Sequence, residues 1–234
     1  MANVEELVFE LESYISDFKL WNEQVIANGK KLSSKQVVSL LSNFQEKFPK
    51  GKLGDIAFED YVLGTKRKVN SYSYWLEFKS AKLGSIAGGS VTKHGIWLSK
   101  EGNFQTTKRF SAPTKEASMD IMRNVLSDLI ENGARRDFFA IDAIDAADTL
   151  KYKTIYMYYP DLYIPIFSNM HYTHLIKELG YIPEQYRGLG SKQQLLVEIK
   201  EKSLKLNKLT MYEYARFLYP IFVLYMWIPK TKKR

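Results

Sequence analysis

The 234-residue chain is 45% hydrophobic and 26% charged, long enough to bury a sizeable core and too apolar for wholesale disorder. Its formal charge of +8 favours a polyanionic partner, nucleic acid or an anionic surface. With no cysteine it excludes disulfides, thiolate catalysis and Cys-based zinc sites, and a reducing, cytoplasmic setting is expected.

The opening MANVEELVFELE is acidic and amphipathic, without the basic and apolar regions of a secretory signal. Val4, Leu7, Val8, Leu11, Ile15 and Phe18 recur at helical spacing and predict a first helix to about Asn28. Ser33 or Ser34 caps a second, with Val37, Val38, Leu41, Phe44 and Phe48 on one face. Pro49-Lys50-Gly51 stops it, and a short helix over Asp55–Leu63 follows.

The character then changes. Ser71–Lys79 alternates polar with apolar and is rich in aromatics, which predicts a half-buried strand with Tyr72 and Tyr74 on one face and Trp75 on the other. His94–Ser99 reads as a second strand, Lys100–Asn103 as a turn and Phe104–Phe110 as a third strand. Thr114 opens a helix that Gly133 ends, and Phe138–Leu150 reads as another, carrying Asp142, Asp145 and Asp148 close to one face. Pro160 and Pro165 bracket an extended turn, and Asn169–Leu179 is a short helix closed by Gly180. Ser191 caps a helix to about Leu204, and a last one spans Thr210–Met226. The most apolar stretch, Phe217–Ile228, falls short of the ~20 residues a membrane span needs, so no membrane association is expected. The expected fold class is therefore α+β, mainly helical with a small antiparallel sheet around residues 71–110. It forms one module: helical 1–64, a β-containing core 65–112, helical 113–229, and a basic tail 230–234.

Charge concentrates in the β-like region. Between Lys66 and Arg109 lie nine cations against two acids, Glu77 and Glu101, accounting for most of the net charge. Lys66, Arg67, Lys68, Lys93, Lys108 and Arg109 are the candidates for gripping phosphates. Tyr72, Tyr74 and Trp97 are candidates for stacking on a base, against the alternative that such rings simply pack in the core. The flexible centre with Ser85, Gly88, Gly89 and Ser90 either offers backbone and hydroxyl contacts to a ligand or is merely a tight connection; Lys93 and His94 follow it directly.

The string YWLEFKSAKLGSIAGGSVTKHGIW, and the later YYPDLYIPIFS leading to His174-Leu175, resemble the amino-terminal region of McrB-like AAA+ restriction proteins. The resemblance covers about a quarter of the chain. It implies a double-stranded DNA-recognition module, reading a sequence or a modified or flipped base, that works with an AAA+ motor domain and a separate nuclease subunit. No G-x-x-x-x-G-K-S/T loop occurs, and Gly188–Lys192 has the wrong spacing for one, so the motor itself is not expected here.

Two other readings stand beside this one. Glu77 and Lys79 match the last element of a PD-(D/E)xK nuclease, in which carboxylates hold Mg²⁺ and a lysine orients water, with Asp55, Glu59 and Asp60 upstream. A protein-interaction scaffold would use Tyr152, Tyr156, Tyr158, Tyr159 and Tyr163 as its surface. His171 and His174 are too few for a zinc site, and no cofactor, metal or catalytic residue is expected under the leading reading.

Overall fold

The computed structural model describes residues 4–63, 70–88 and 90–222. The expected contacts Lys66, Arg67, Lys68 and Gly89, and the basic tail, lie outside these residues. The chain is mainly helical with one small antiparallel sheet, and its contacts divide it into two compact units: one from Ser33 to Tyr159, the other made of the residues before Ser33 and after Tyr159.

In the Ser33–Tyr159 unit, α1 (Ser34–Lys47) begins at a capping box. Ser33 Oγ accepts from the Gln36 amide while the Ser33 amide donates to Gln36 Oε1 at 2.8 Å, satisfying two of the orphan donors at the helix start. Val37, Leu41 and Phe44 are buried as expected, whereas Val38 points to solvent. A 3₁₀ turn (Lys50–Asp55) and the single turn α2 (Phe58–Tyr61) follow.

The predicted first strand is a helix. Ser71 caps α3 (Tyr72–Tyr74), which runs directly into a π-helical turn over Trp75–Lys79, closed by an i→i+5 bond from the Ser80 amide to the Trp75 carbonyl at 2.9 Å. Burial follows a helical period: Tyr72, Ser73, Leu76, Glu77 and Ser80 are interior, while Phe78 and Lys79 are exposed. The polar/apolar alternation lost to the aromatic core. Tyr72 stacks on Tyr61 (ring centroids 5.8 Å apart, 20° between planes) and lies 5.5 Å from Phe44. Phe44 in turn contacts Phe48 and Tyr158, each at 5.3 Å. Tilted and stacked ring pairs of this kind add to the burial itself.

The other two strands form the sheet. β1 (Ile96–Leu98) pairs antiparallel with β2 (Phe104–Thr106), with Trp97 opposite Gln105. The Leu98 amide also donates to the Leu63 carbonyl at 2.8 Å, which fastens the hairpin to the chain following α2. β2 stops at Thr106 and gives way to a 3₁₀ turn, Lys108–Phe110.

The long helix α4 (Lys115–Arg135) is capped by Thr114 as expected, but it runs through Gly133 and ends at Arg136 in the left-handed region. Gly133 instead permits close packing: a Cβ there would sit 3.1 Å from Ile155 and from the Tyr159 ring. The predicted helix Phe138–Leu150 is broken into α5 (Phe138–Ala143) and α6 (Asp148–Tyr158). This disperses the aspartates. Asp142 accepts from the Tyr152 hydroxyl, Asp145 pairs with Arg109, and Asp148 pairs with Lys151. Helix α6 is buried on every side from Leu150 to Tyr158. The tyrosines expected as a partner surface are thus interior, except half-buried Tyr159.

In the second unit the predicted first helix breaks at Tyr14 into α7 (Val4–Ser13) and α8 (Ile15–Ala27). Leu7, Leu11, Ile15 and Phe18 face inward across the break, and Phe18 meets Phe217 edge-on at 5.4 Å. α9 (Asn169–Glu178) lies where expected. α10 (Gly188–Lys202) starts three residues before its predicted cap, so Ser191 falls inside the first turn. α11 (Met211–Phe222) completes this unit, and His171 Nδ1 lies 2.7 Å from the Tyr219 hydroxyl. No helix among the described residues is long and apolar enough to cross a membrane.

Candidate nucleic-acid interface

Three stretches distant in sequence converge within the Ser33–Tyr159 unit to line one hollow of about 430 Å³. The glycine-serine segment and the 3₁₀ turn after it supply Gly88, Ser90, Thr92, Lys93 and Gly95. The turn after β2 supplies Thr107, Arg109 and Phe110, and the start of α6 supplies Ala147 and Thr149. Hydroxyls dominate the polar lining. Among the described residues, Thr107 Oγ1 is buried there with no hydrogen-bond partner and Phe110 is the only ring in the wall.

The floor is fixed by a buried charge cluster. Glu77 on the π-helical turn takes Lys93 Nζ on one carboxylate oxygen at 2.7 Å and His94 Nε2 on the other at 2.8 Å. An ionised carboxylate only accepts, so His94 carries its proton on Nε2; Nδ1, buried without a described partner, is then a bare lone pair. Burial raises the Glu77 carboxyl, but the hydrogen bonds from His94 and Lys93 outweigh it and hold the group below the usual carboxylate range. Burial pushes His94 below the ordinary imidazole range, against the pull of Glu77.

Two more features preset the loop. Lys153, fully buried on α6, donates to the carbonyls of Ser80 at 2.9 Å and Gly84 at 2.7 Å, pinning the start of the glycine-serine segment. Desolvation drives its ammonium well below the ordinary lysine range. Gly95 holds φ at +73°, and a Cβ there would lie 2.4 Å from the Phe110 ring.

The sequence-predicted contacts divide sharply. Ser85, Gly88, Ser90, Lys108 and Arg109 are exposed. Arg109 is met by Asp145 at 2.9 Å, but both side chains are more than half exposed, and such pairs contribute little and exchange partners readily. Lys93 lines the hollow with its charge already committed to Glu77. Tyr72 and His94 correct the expectation: each has 0% exposure, because Tyr72 belongs to the aromatic core with its hydroxyl on Thr154 and His94 is held by Glu77. Tyr74 and Trp97 are half-buried and do not line the hollow. No family model, curated protein or solved structure matches this chain. The strand geometry that would have placed Glu77 beside Lys79 is absent; Lys79 lies over the Trp75 ring at 5.9 Å while Glu77 turns inward. Among the described residues no group of three or more His, Cys, Asp or Glu is arranged to hold a metal ion. Thr107, Thr149 and Lys153 had no signal in the sequence, since isolated threonines and lysines gain meaning only from what the fold sets beside them.

Proposed function

We propose that the protein is a DNA-binding module, acting as the target-recognition part of a McrB-like restriction system with an AAA+ motor and a separate nuclease as partners. The observation that supports it best is the hollow, which Arg109, Ser90, Thr92, Thr107 and Thr149 line together beside exposed Lys108. Guanidinium, ammonium, hydroxyl and backbone N–H groups are the donors that hold phosphate oxygens. A lining with one ring suits a phosphate better than a stacked base. Lys108 and Arg109 then grip the backbone, while Lys93, neutralised by Glu77, shapes the floor.

The test is duplex DNA binding measured across a salt series. Affinity should fall steeply between about 50 and 200 mM salt, as when several phosphates are neutralised. Affinity that is absent at low salt, or independent of salt, overturns the reading. Parallel titrations with unmodified, methylated and hydroxymethylated duplexes reveal whether a base modification is read.

A further inference from the structure

The π-helical turn that delivers Glu77 inward presents the opposite face to solvent, and that face is aromatic. Phe78 is 47% exposed, an unfavourable position for a ring with no polar atom. It lies against half-buried Tyr74, with ring centroids 5.0 Å apart and 42° between planes. The pair is rigidly mounted. On the same turn Leu76 is fully buried, Trp75 packs on Phe44 at 6.2 Å, and Glu77 is clamped by Lys93 and His94. π-Helical turns are rare and frequently occur at functional sites.

The surrounding charge selects the occupant. Lys79 and Lys82, both exposed, follow the ring pair, while the acid of the turn, Glu77, is interior and neutralised. In sequence Glu77 is the only acid between Asn70 and Lys100, and a ring surface in so cationic a stretch fits a nucleobase with its phosphates better than an apolar peptide. In a duplex the base faces are covered by neighbouring pairs, so such a platform engages unpaired bases.

We propose that Phe78, backed by Tyr74 and followed in sequence by exposed Lys79 and Lys82, is a stacking site for an unpaired base of single-stranded DNA. This rests on the nucleic-acid reading above but uses residues outside the hollow. The test is binding of the whole chain to a short single strand carrying a central 2-aminopurine, beside a duplex of equal length. Wild type should quench the 2-aminopurine emission. Phe78→Ala should abolish the quench and weaken single-strand binding roughly ten-fold, with duplex binding and thermal midpoint unchanged. Phe78→Trp should retain the quench, and Phe78→Leu, apolar but not aromatic, should not. Undiminished quenching and affinity in Phe78→Ala overturn the platform. If Arg109→Ala still lowers duplex affinity in that case, the phosphate-binding hollow survives alone. If wild type binds neither strand form at low salt, both readings fall together.

Discussion

The floor and the rim of the hollow are built from the same kinds of residue and behave oppositely. On the floor, Lys93 is tied to a buried carboxylate and Gly95 is wedged against Phe110. On the rim, among the described residues, Arg109 meets an exposed aspartate, and Gly88, with φ at +119°, has nothing within 4 Å of where a Cβ would stand. A cation or a glycine near a candidate site therefore says little by itself. Its surroundings decide whether it maintains the fold or remains available to a ligand.

The sharpest way to break that contrast is Glu77→Ala, which leaves buried His94 without its acceptor and Lys93 with the longer contact to the Gly88 carbonyl at 3.4 Å. Removing one partner of a buried pair costs about 3 kcal/mol, readable as a lowered urea midpoint. Gly95→Ala should come next, at about 2 to 3 kcal/mol, because it combines left-handed strain with a clash against a ring that has nowhere to go. Gly88→Ala meets strain without a clash and should cost about 1 kcal/mol. Equal losses at Gly88 and Gly95 would remove the distinction between floor and rim.

Between floor and rim, acid should act on the floor. Glu77 and His94 both bind protons less readily in the folded protein than at their ordinary values of 4.5 and 6.5. The unfolded chain therefore takes up protons first. Their contribution is complete above about pH 6.5 and is lost progressively as the pH falls below it. Thermal midpoints between pH 7.5 and 5 should drop for wild type, and the slope should flatten in His94→Gln; an equally steep drop in that variant would place the acid sensitivity elsewhere. The smallest expected effect on stability is at the rim. Arg109→Ala should leave the midpoint within about 0.5 kcal/mol while reducing the salt slope of duplex binding by about one, as for loss of one phosphate contact.

The helices with caps and long apolar stripes were legible in the sequence. Ser33 and Thr114 open the helices they were expected to open, and the hairpin of β1 and β2 follows from apolar runs around a glycine turn. Ser71–Lys79 was misread because its side chains alternate as a strand's do, while the decisive signal was the capping serine followed by Tyr72 and Leu76 four apart. Of the candidate site, the exposed glycine-serine segment and Lys108–Arg109 were legible as a cationic, pliable region. The burial of Tyr72 and His94 was not, because it depends on Phe44, Tyr61, Thr154 and Glu77, which are distant in sequence or, for Glu77, lie on a segment of misjudged conformation.

Sequence by itself determined that this chain is mainly helical with one small hairpin, and that its positive charge clusters around residues 66–109, because caps, periodicity and composition act locally. Only the tertiary structure decided which cations stay available. A lysine is neutralised or left open according to whether the fold brings a carboxylate within about 3 Å, and no local pattern encodes that distance.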